Sequence, residues 1–503
     1  MSENARGDGW CWPMQGSHDI GRVGEIRHII SPYQLDPPPI CFPGALLDPS
    51  LMGLAPDILW KQLNAIGTHT RGRNEKDDAE ISSAEAGFET IQRMERAAVW
   101  MVASMLGGTP ADTDGYFCGG GTEGNHMGMW IGREFLNDWM EKKRLQGDPQ
   151  PSLQGIAVLC TPMVHYSIFK SLNQLDILCR FNWRQCDHST PCGWKHLPPK
   201  SGSERLFLVG TDEAGRMDLP SLQMTFDQAY TAGYRSFLVV GTVGTCLTGS
   251  VDPIEEMSRL MERMEQTYQV CFYFHVDAAF GGFTVPFLEG SPRIGFDVPR
   301  VRSMVVDAHK MGHLPYPAGI FLCRKNLQDN IGMDVAYISG HRDDTFCGSR
   351  PSLAPILAYE YYPFLGVEGQ RAYVQACIEA RDRLLVMIQK CFGADSTVVR
   401  PLPCSPWTNF LPLEIRIENG AVPNFLKNND PASRAKRIEF RRTAHLAPWQ
   451  LRSDGVPSIS GHPMSCPRIA YKLCIMPQHT IPFLKQFVDQ LERVVREAGL
   501  FGK

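Results

Sequence analysis

The chain has 503 residues, 43% of them hydrophobic and 21% charged, with a formal net charge of −4 at pH 7. That balance is ordinary for a soluble globular protein and offers no basic field for nucleic acid or an anionic membrane surface. The length predicts several domains, and no apolar run reaches the ~20 residues that cross a bilayer.

The first residues, Met1-Ser2-Glu3-Asn4-Ala5-Arg6, carry an acid and no apolar segment, so they do not read as a secretory signal. The 16 cysteines are scattered. No C-x-x-C pair occurs, and the nearest spacing, Cys186 to Cys192, fits no zinc template, so no metal is expected. We read them as reduced thiols of a cytoplasmic protein.

Residues 1–60 are rich in Pro, Gly and aromatics, with Asp36-Pro37-Pro38-Pro39 as a stiff extended piece. Thr68 to Arg73 is a basic loop. From Ala86 to Leu106, apolar residues recur at three- and four-residue steps, which predicts a helix stopped by Gly107-Gly108 and Pro110. Gly119-Gly120-Gly121-Thr122-Glu123-Gly124-Asn125 then leads into a helical pattern. Glycine N–H groups at a helix start suit a phosphate. The string also satisfies G-x-G-x-x-G, but the acid about 20 residues on, Glu141, sits in a helical stretch, against a dinucleotide site.

Gly155 to Cys160 reads as a buried strand, followed by His165-Tyr166-Ser167. Cys186 to Lys200 reads as a polar inserted loop. Leu206 to Val209 and Phe237 to Val240 are short apolar strands, the second running into Gly241-Thr242-Val243-Gly244-Thr245-Cys246. Ile254 to Met264 is an amphipathic helix. Cys271 to Val276 and Ser303 to Val306 are two more buried strands, ending at Asp277-Ala278-Ala279 and at Asp307-Ala308-His309-Lys310. Strands alternating with helices predict a mostly parallel sheet covered on both faces, with ligands at the carboxyl ends of the strands. The C-terminal part has a clear helix from Arg371 to Phe392, then Arg468-Ile469-Ala470-Tyr471-Lys472, then a last helix headed by Thr480 and Pro482. We expect an N-terminal segment over 1–75, a large cofactor-binding domain over 76–355 and a smaller α+β domain over 356–503.

A carboxylate and a lysine, each at the end of a buried strand, suit pyridoxal 5'-phosphate: Lys310 forms the Schiff base and Asp277 pairs with the ring nitrogen. Taken singly, Asp277 equally reads as a turn cap and Lys310 as a solvated surface lysine; it is the rest of the chain that makes the pair informative.

The runs His275-Val276-Asp277-Ala278-Ala279-Phe280-Gly281-Gly282 and Asp307-Ala308-His309-Lys310-Met311-Gly312-His313-Leu314-Pro315-Tyr316-Pro317 resemble the group II pyridoxal-phosphate-dependent amino acid decarboxylases. The short tyrosine/aspartate decarboxylases are the nearest in kind, and sphingosine-phosphate lyase is a relative. The resemblance implies a fold type I enzyme and a homodimer with shared active sites. It implies that Gly120, Gly121 and Thr122 hold the cofactor phosphate and that His165 stacks on the ring. Thr245, Ala279 and His309 would border the cofactor, and Ser349, in Gly348-Ser349-Arg350, would reach the neighbouring subunit's phosphate. Tyr337 would return a proton to the substrate carbon, and Arg468 would meet the substrate carboxylate. Two departures stand out. Cys246 replaces the second threonine of the Gly-Thr-Thr turn, and Met476-Pro477-Gln478-His479 is one residue longer than the family's Met-Pro-His.

The expected reaction is decarboxylation of an L-amino acid, aromatic and tyrosine first. The alternatives are a carbon–carbon lyase of the sphingosine-phosphate-lyase type, or a nucleotide-binding or catalytically silent scaffold.

Overall fold

The computed structural model describes residues 53, 58–59, 63–67, 89–147, 155–177, 205–335, 342–415, 431, 448–451, 457–458, 468–477 and 479–497. The Pro-rich piece at 36–39, the basic loop at 68–73, the polar loop at 186–200 and Tyr337 lie outside the described residues. Residues 40–503 belong to one compact unit.

Its centre is a seven-stranded sheet: β1 (Thr113–Cys118), β2 (Ile156–Cys160), β3 (Leu206–Leu208), β4 (Ser236–Thr242), β5 (Cys271–Asp277), β6 (Val301–Asp307) and β7 (Gly319–Arg324). The spatial order is β1-β7-β6-β5-β4-β2-β3. From β3 across to β6 all neighbours are parallel; β7 alone runs antiparallel to both of its neighbours. Sequences such as Ser-Phe-Leu-Val-Val-Gly-Thr in β4 are buried throughout, as strands covered on both faces must be.

Helices cover the two faces. In chain order they are α1 (Glu89–Met105), α2 (Gly121–Leu145), α3 (Tyr166–Gln174), α4 (Leu219–Thr231), α5 (Ile254–Tyr268) and the short α6 (Ala308–Met311). Local signals set their ends. Asp218 caps α4 by accepting from the Ser221 N–H at 2.9 Å, and α5 stops at Gln269 in the left-handed conformation.

Alternation along β5 decides what meets what. Phe272, Phe274 and Val276 join the larger core on one face. Tyr273, His275 and Asp277 point to the other face, where α2 lies. Ser303, Val305 and Asp307 of β6 share that face. The ends of β5 and β6 thus present two carboxylates toward the start of α2.

After a two-residue ribbon of β8 (Met333–Asp334) and β9 (Arg342–Asp343), α7 runs from Leu353 to Phe392. The expected helix at 371–392 is only its second limb. At Gly366, φ 65° and ψ 173°, the backbone leaves the helical region, so α7 is two helical limbs meeting at a kink, with Pro363 just before it. The first limb packs on the large core through Ala354, Leu357 and Tyr361; the second packs through Leu384 and Ile388 on a smaller antiparallel sheet. That sheet holds β10 (Val399–Pro401), β11 (Phe410–Ile415), β12 (Pro448–Leu451), β13 (Pro457–Ser458) and β14 (Arg468–Cys474), in the order β10-β11-β14-β12-β13. The last helix, α8 (Ile481–Glu497), buries Leu484, Phe487, Val488, Leu491 and Val495 against it. Its first internal hydrogen bond runs from the Leu484 N–H to the Thr480 carbonyl at 2.9 Å.

Candidate active site

A cavity of about 810 Å³ opens at the carboxyl ends of β4, β5 and β6. Gly120, Gly121 and Thr122 form one side. Gly120 has φ 138°, and a Cβ there would stand 3.1 Å from His309 Cε1, so only glycine lets the turn pass this close. Glu123, in the first turn of α2, accepts from the Gly119 N–H at 2.7 Å and from the Tyr116 hydroxyl at 3.1 Å. These contacts pin the turn so that the start of α2 faces the cavity.

Asp277 ends β5 on the cavity wall. Its Oδ1 accepts from the Ala279 N–H at 3.1 Å, and its Oδ2 from Asn125 Nδ2 at 2.9 Å. His165, at the start of α3, also lines the cavity. Its Nδ1 accepts from the Ser167 N–H at 3.3 Å and lies 2.7 Å from Ser167 Oγ, which places its proton on Nε2. Burial pushes the His165 pKa down, against the pull of the Asp277 charge, and so favours a neutral ring.

Lys310 stands on α6, one step past β6. Its Nζ lies 2.9 Å from Asp307 Oδ2. Burial works against the ammonium, but the Asp307 carboxylate outweighs it and the Lys310 pKa goes up. Asp307 Oδ1 is buried without a hydrogen-bond partner. His309 lies behind: its Nδ1 accepts from the Ala318 N–H at 3.2 Å, its Nε2 is 3.5 Å from Asp307 Oδ2, and its ring lies 4.0 Å from that of Tyr316. Burial lowers its pKa, with Asp307 opposing.

The cavity wall therefore brings together Gly120, Gly121, Thr122, His165, Thr245, Asp277, Ala279, His309 and Lys310. Thr245 Oγ1 is tied 2.8 Å from both Thr248 Oγ1 and Ser250 Oγ, which fixes the turn after β4. Ser349 stands elsewhere, exposed, accepting from Asn64 Nδ2 at 3.2 Å. Its neighbour Arg350 turns inward to a buried pair with Glu95, 2.5 Å away. The backbone of Arg468 opens β14, but its side chain is outside the described residues.

Among the wall residues to which sequence reasoning gave no role are Asn125, Asp307, Tyr316 and Lys472. Lys472 had a readable signal. It sits between Tyr471 and Leu473, both buried in the small core, so strand alternation turns its charge to the opposite side, toward the cavity. Its Nζ lies 5.6 Å from the Phe410 ring.

An anion cradle at a helix start, a carboxylate for a protonated ring nitrogen and a lysine with a partly unsatisfied acid beside it fit pyridoxal 5'-phosphate. The fold and this wall define a fold type I pyridoxal-phosphate enzyme. The sequence profile described as the pyridoxal-dependent decarboxylase conserved domain matches residues 90–392, more than half of the chain. A probable L-tyrosine/L-aspartate decarboxylase of Methanosarcina acetivorans is 26% identical over 82% of this chain and 85% of its own length. Its counterpart in Methanosarcina barkeri is 30% identical over 57% of this chain, and the match spans only 60% of that relative. A tryptophan decarboxylase of Clostridium sporogenes is 28% identical, with 57% of each chain covered. Among solved structures, glutamate decarboxylase of Lactobacillus brevis superposes with a TM-score of 0.69 at 15% identity, covering 100% of this chain and 98% of that one. A sphingosine-1-phosphate lyase of Burkholderia pseudomallei gives 0.64 at 16% identity, covering 98% and 93%. The chain belongs to the family of pyridoxal-dependent decarboxylases, and its cofactor is pyridoxal 5'-phosphate.

Proposed function

We propose that this protein removes the α-carboxylate of an L-amino acid as CO2, with aromatic amino acids, tyrosine first, as substrates. The observation that carries the reading is the placing of Lys310, Asp277 and His165 around one cavity whose wall also holds Lys472. The names of the relatives support an amino acid substrate and favour tyrosine, aspartate or tryptophan.

When bound, the cofactor supplies an aldehyde for a lysine and a protonated ring that accepts the electron pair of the breaking carbon–carboxylate bond. The chain's own residues do the rest. Gly120, Gly121 and Thr122, at the start of α2 on the cavity wall, would hold the phosphate. Asp277 would accept from the ring N–H and His165 would stack on the ring, both lining the cavity. Asp307 keeps Lys310 charged at rest, so the ammonium must release its proton before its nitrogen attacks a carbonyl. Lys472 meets the substrate carboxylate, taking the role expected of Arg468. Tyr337 or Lys310 would return a proton to the substrate carbon.

We further infer a homodimer in which Ser349 reaches the neighbouring site; Phe364 and Val367, 76% and 57% exposed at the kink of α7, supply an apolar surface for a second copy. The division at residue 355, within the first turn of α7, and a cytoplasmic location belong to the same proposal. In its support, no helix among the described residues is long and apolar enough to cross a membrane.

The test is visible absorbance of the purified full chain with added cofactor, then CO2 release from each proteinogenic amino acid, with Lys310→Ala alongside. Release from one aromatic amino acid, absent in the variant, is the expected result. A coloured protein that releases CO2 from none would turn the reading toward a carbon–carbon lyase. No bound chromophore would overturn it.

A further inference from the structure

The carboxylate and the imidazole expected on either side of the cofactor ring share one neighbour, Asn125. One N–H of its amide donates to Asp277 Oδ2 and the other to Ser167 Oγ, both at 2.9 Å. Ser167 in turn sits 2.7 Å from His165 Nδ1. Because Ser167 Oγ accepts from Asn125, its own proton is free to go to His165. The amide therefore forks to the two ring partners.

The orientation of that amide is set from behind. Asn125 Oδ1 lies 2.8 Å from His275 Nε2, and an amide oxygen only accepts, so His275 carries its proton on Nε2. Burial holds the His275 pKa down at about 4, so the ring is neutral and Nδ1 is an acceptor. Ser303 Oγ donates to it at 2.8 Å and accepts from the Tyr273 hydroxyl at 2.9 Å. Tyr273, Ser303, His275 and Asn125 are each at most 1% exposed. Each donates to the next in the same direction, and the line ends on Asp277. A reversed amide would set its oxygen against the Asp277 carboxylate and its N–H against the N–H at His275.

The helix makes room for this line. Gly124, Gly128 and Gly132 recur every four residues on the face of α2 that lies on the sheet. A Cβ on Gly128 would stand 2.3 Å from His275 Nδ1, and one on Gly132 2.7 Å from the Tyr273 ring. Gly124 lies as close to Val305, so the row draws the backbone down onto β5 and β6, and two of its three approaches are to members of the line, His275 and Tyr273.

We propose that the buried line Tyr273–Ser303–His275 fixes the Asn125 amide, and that this amide holds Asp277 and His165 together in the geometry that grips the cofactor ring. His275 and Asn125 are then positioning residues. The inference rests on the proposed function in taking Asp277 and His165 as the ring's partners.

The experiment titrates the full-length apoprotein with pyridoxal 5'-phosphate and reads the dissociation constant and the visible circular dichroism of the bound cofactor, which reports its tilt. His275→Phe removes both hydrogen bonds, His275→Gln keeps a donor and an acceptor, and Ser303→Ala removes only the donor to Nδ1. We expect His275→Phe to raise the dissociation constant about tenfold and shrink the dichroism, as loss of one net hydrogen bond does. His275→Gln should recover most of both, and Ser303→Ala should raise the constant about threefold. Wild-type constants and dichroism in His275→Phe and Ser303→Ala would overturn the proposal. Should His275→Phe not fold, an unmoved Ser303→Ala overturns it alone. A wild-type chain that binds no cofactor would instead overturn the proposed function, and this inference with it.

Discussion

At the scale of single residues, charges without partners decide most. Among the described residues Lys472 makes no ion pair, and it lines the cavity beside Phe410. If it receives the substrate carboxylate, Lys472→Met should lower kcat/KM about ten- to hundredfold, the worth of one charge-assisted hydrogen bond, mainly through KM. The cofactor's dissociation constant should not move; an unchanged KM would return the role to Arg468. His275 gives a second prediction. Its pKa falls from the ordinary value of 6.5 to about 4 on folding, so the unfolded chain binds the extra proton between these values. Stability is then fully present above pH 6.5 and lost as pH falls toward 4. Against His275→Gln, which cannot take that proton, wild type should lose about 2 kcal/mol more of unfolding free energy between pH 7 and pH 5. Urea unfolding of the two apoproteins at both pH values checks it; parallel losses would mean that His275 titrates normally.

At the scale of elements, α2 carries the greatest demand. It supplies the glycine turn at the cavity's edge and Asn125 one turn later, and its glycine row rests on β5 and β6. Gly128→Ala adds one methyl where the nearest atom is a buried ring at 2.3 Å. We expect it to cost about 1–3 kcal/mol by overpacking and to weaken cofactor binding in step. Gly147→Ala, past the end of α2 at φ 78° with nothing within 4 Å of the added Cβ, strains only its own turn and should leave cofactor binding alone. Equal cofactor affinity in the two variants would show that the row is a packing convenience with no bearing on the site.

At the scale of the whole molecule, the cavity draws on segments far apart in the chain: the start of α2, the ends of β4, β5 and β6, and β14 of the small sheet. A ligand held by so many segments binds the folded chain and not the unfolded one. Cofactor at a hundred times its dissociation constant should therefore add about 2.7 kcal/mol to unfolding, read as a shift of the melting transition. Lys310→Ala should keep only part of that gain, since the phosphate cradle remains while the link to the lysine is gone. An equal gain in both proteins would remove Lys310 from the binding site.

Much of this was legible in the chain itself. Buried strands announce themselves as apolar runs, so Asp277 and Lys310 could be put at strand ends from the sequence, and a glycine turn before a helical pattern put Gly120–Thr122 at a helix start. These are local properties, written within a few residues. What only the tertiary structure decided are pairings between distant residues. Asn125 meets His275 from 150 positions away and Asp277 from 152, and no local pattern in either stretch states that α2 lies on that face of β5. The kink that joins the expected helix at 371–392 to an earlier limb, the inward turn of Arg350 to Glu95, and the arrival of Lys472 at the cavity are likewise outcomes of layering. The physical reason is that a strand's alternation says which residues share a face, while only the packing of helices on the sheet says what that face will touch.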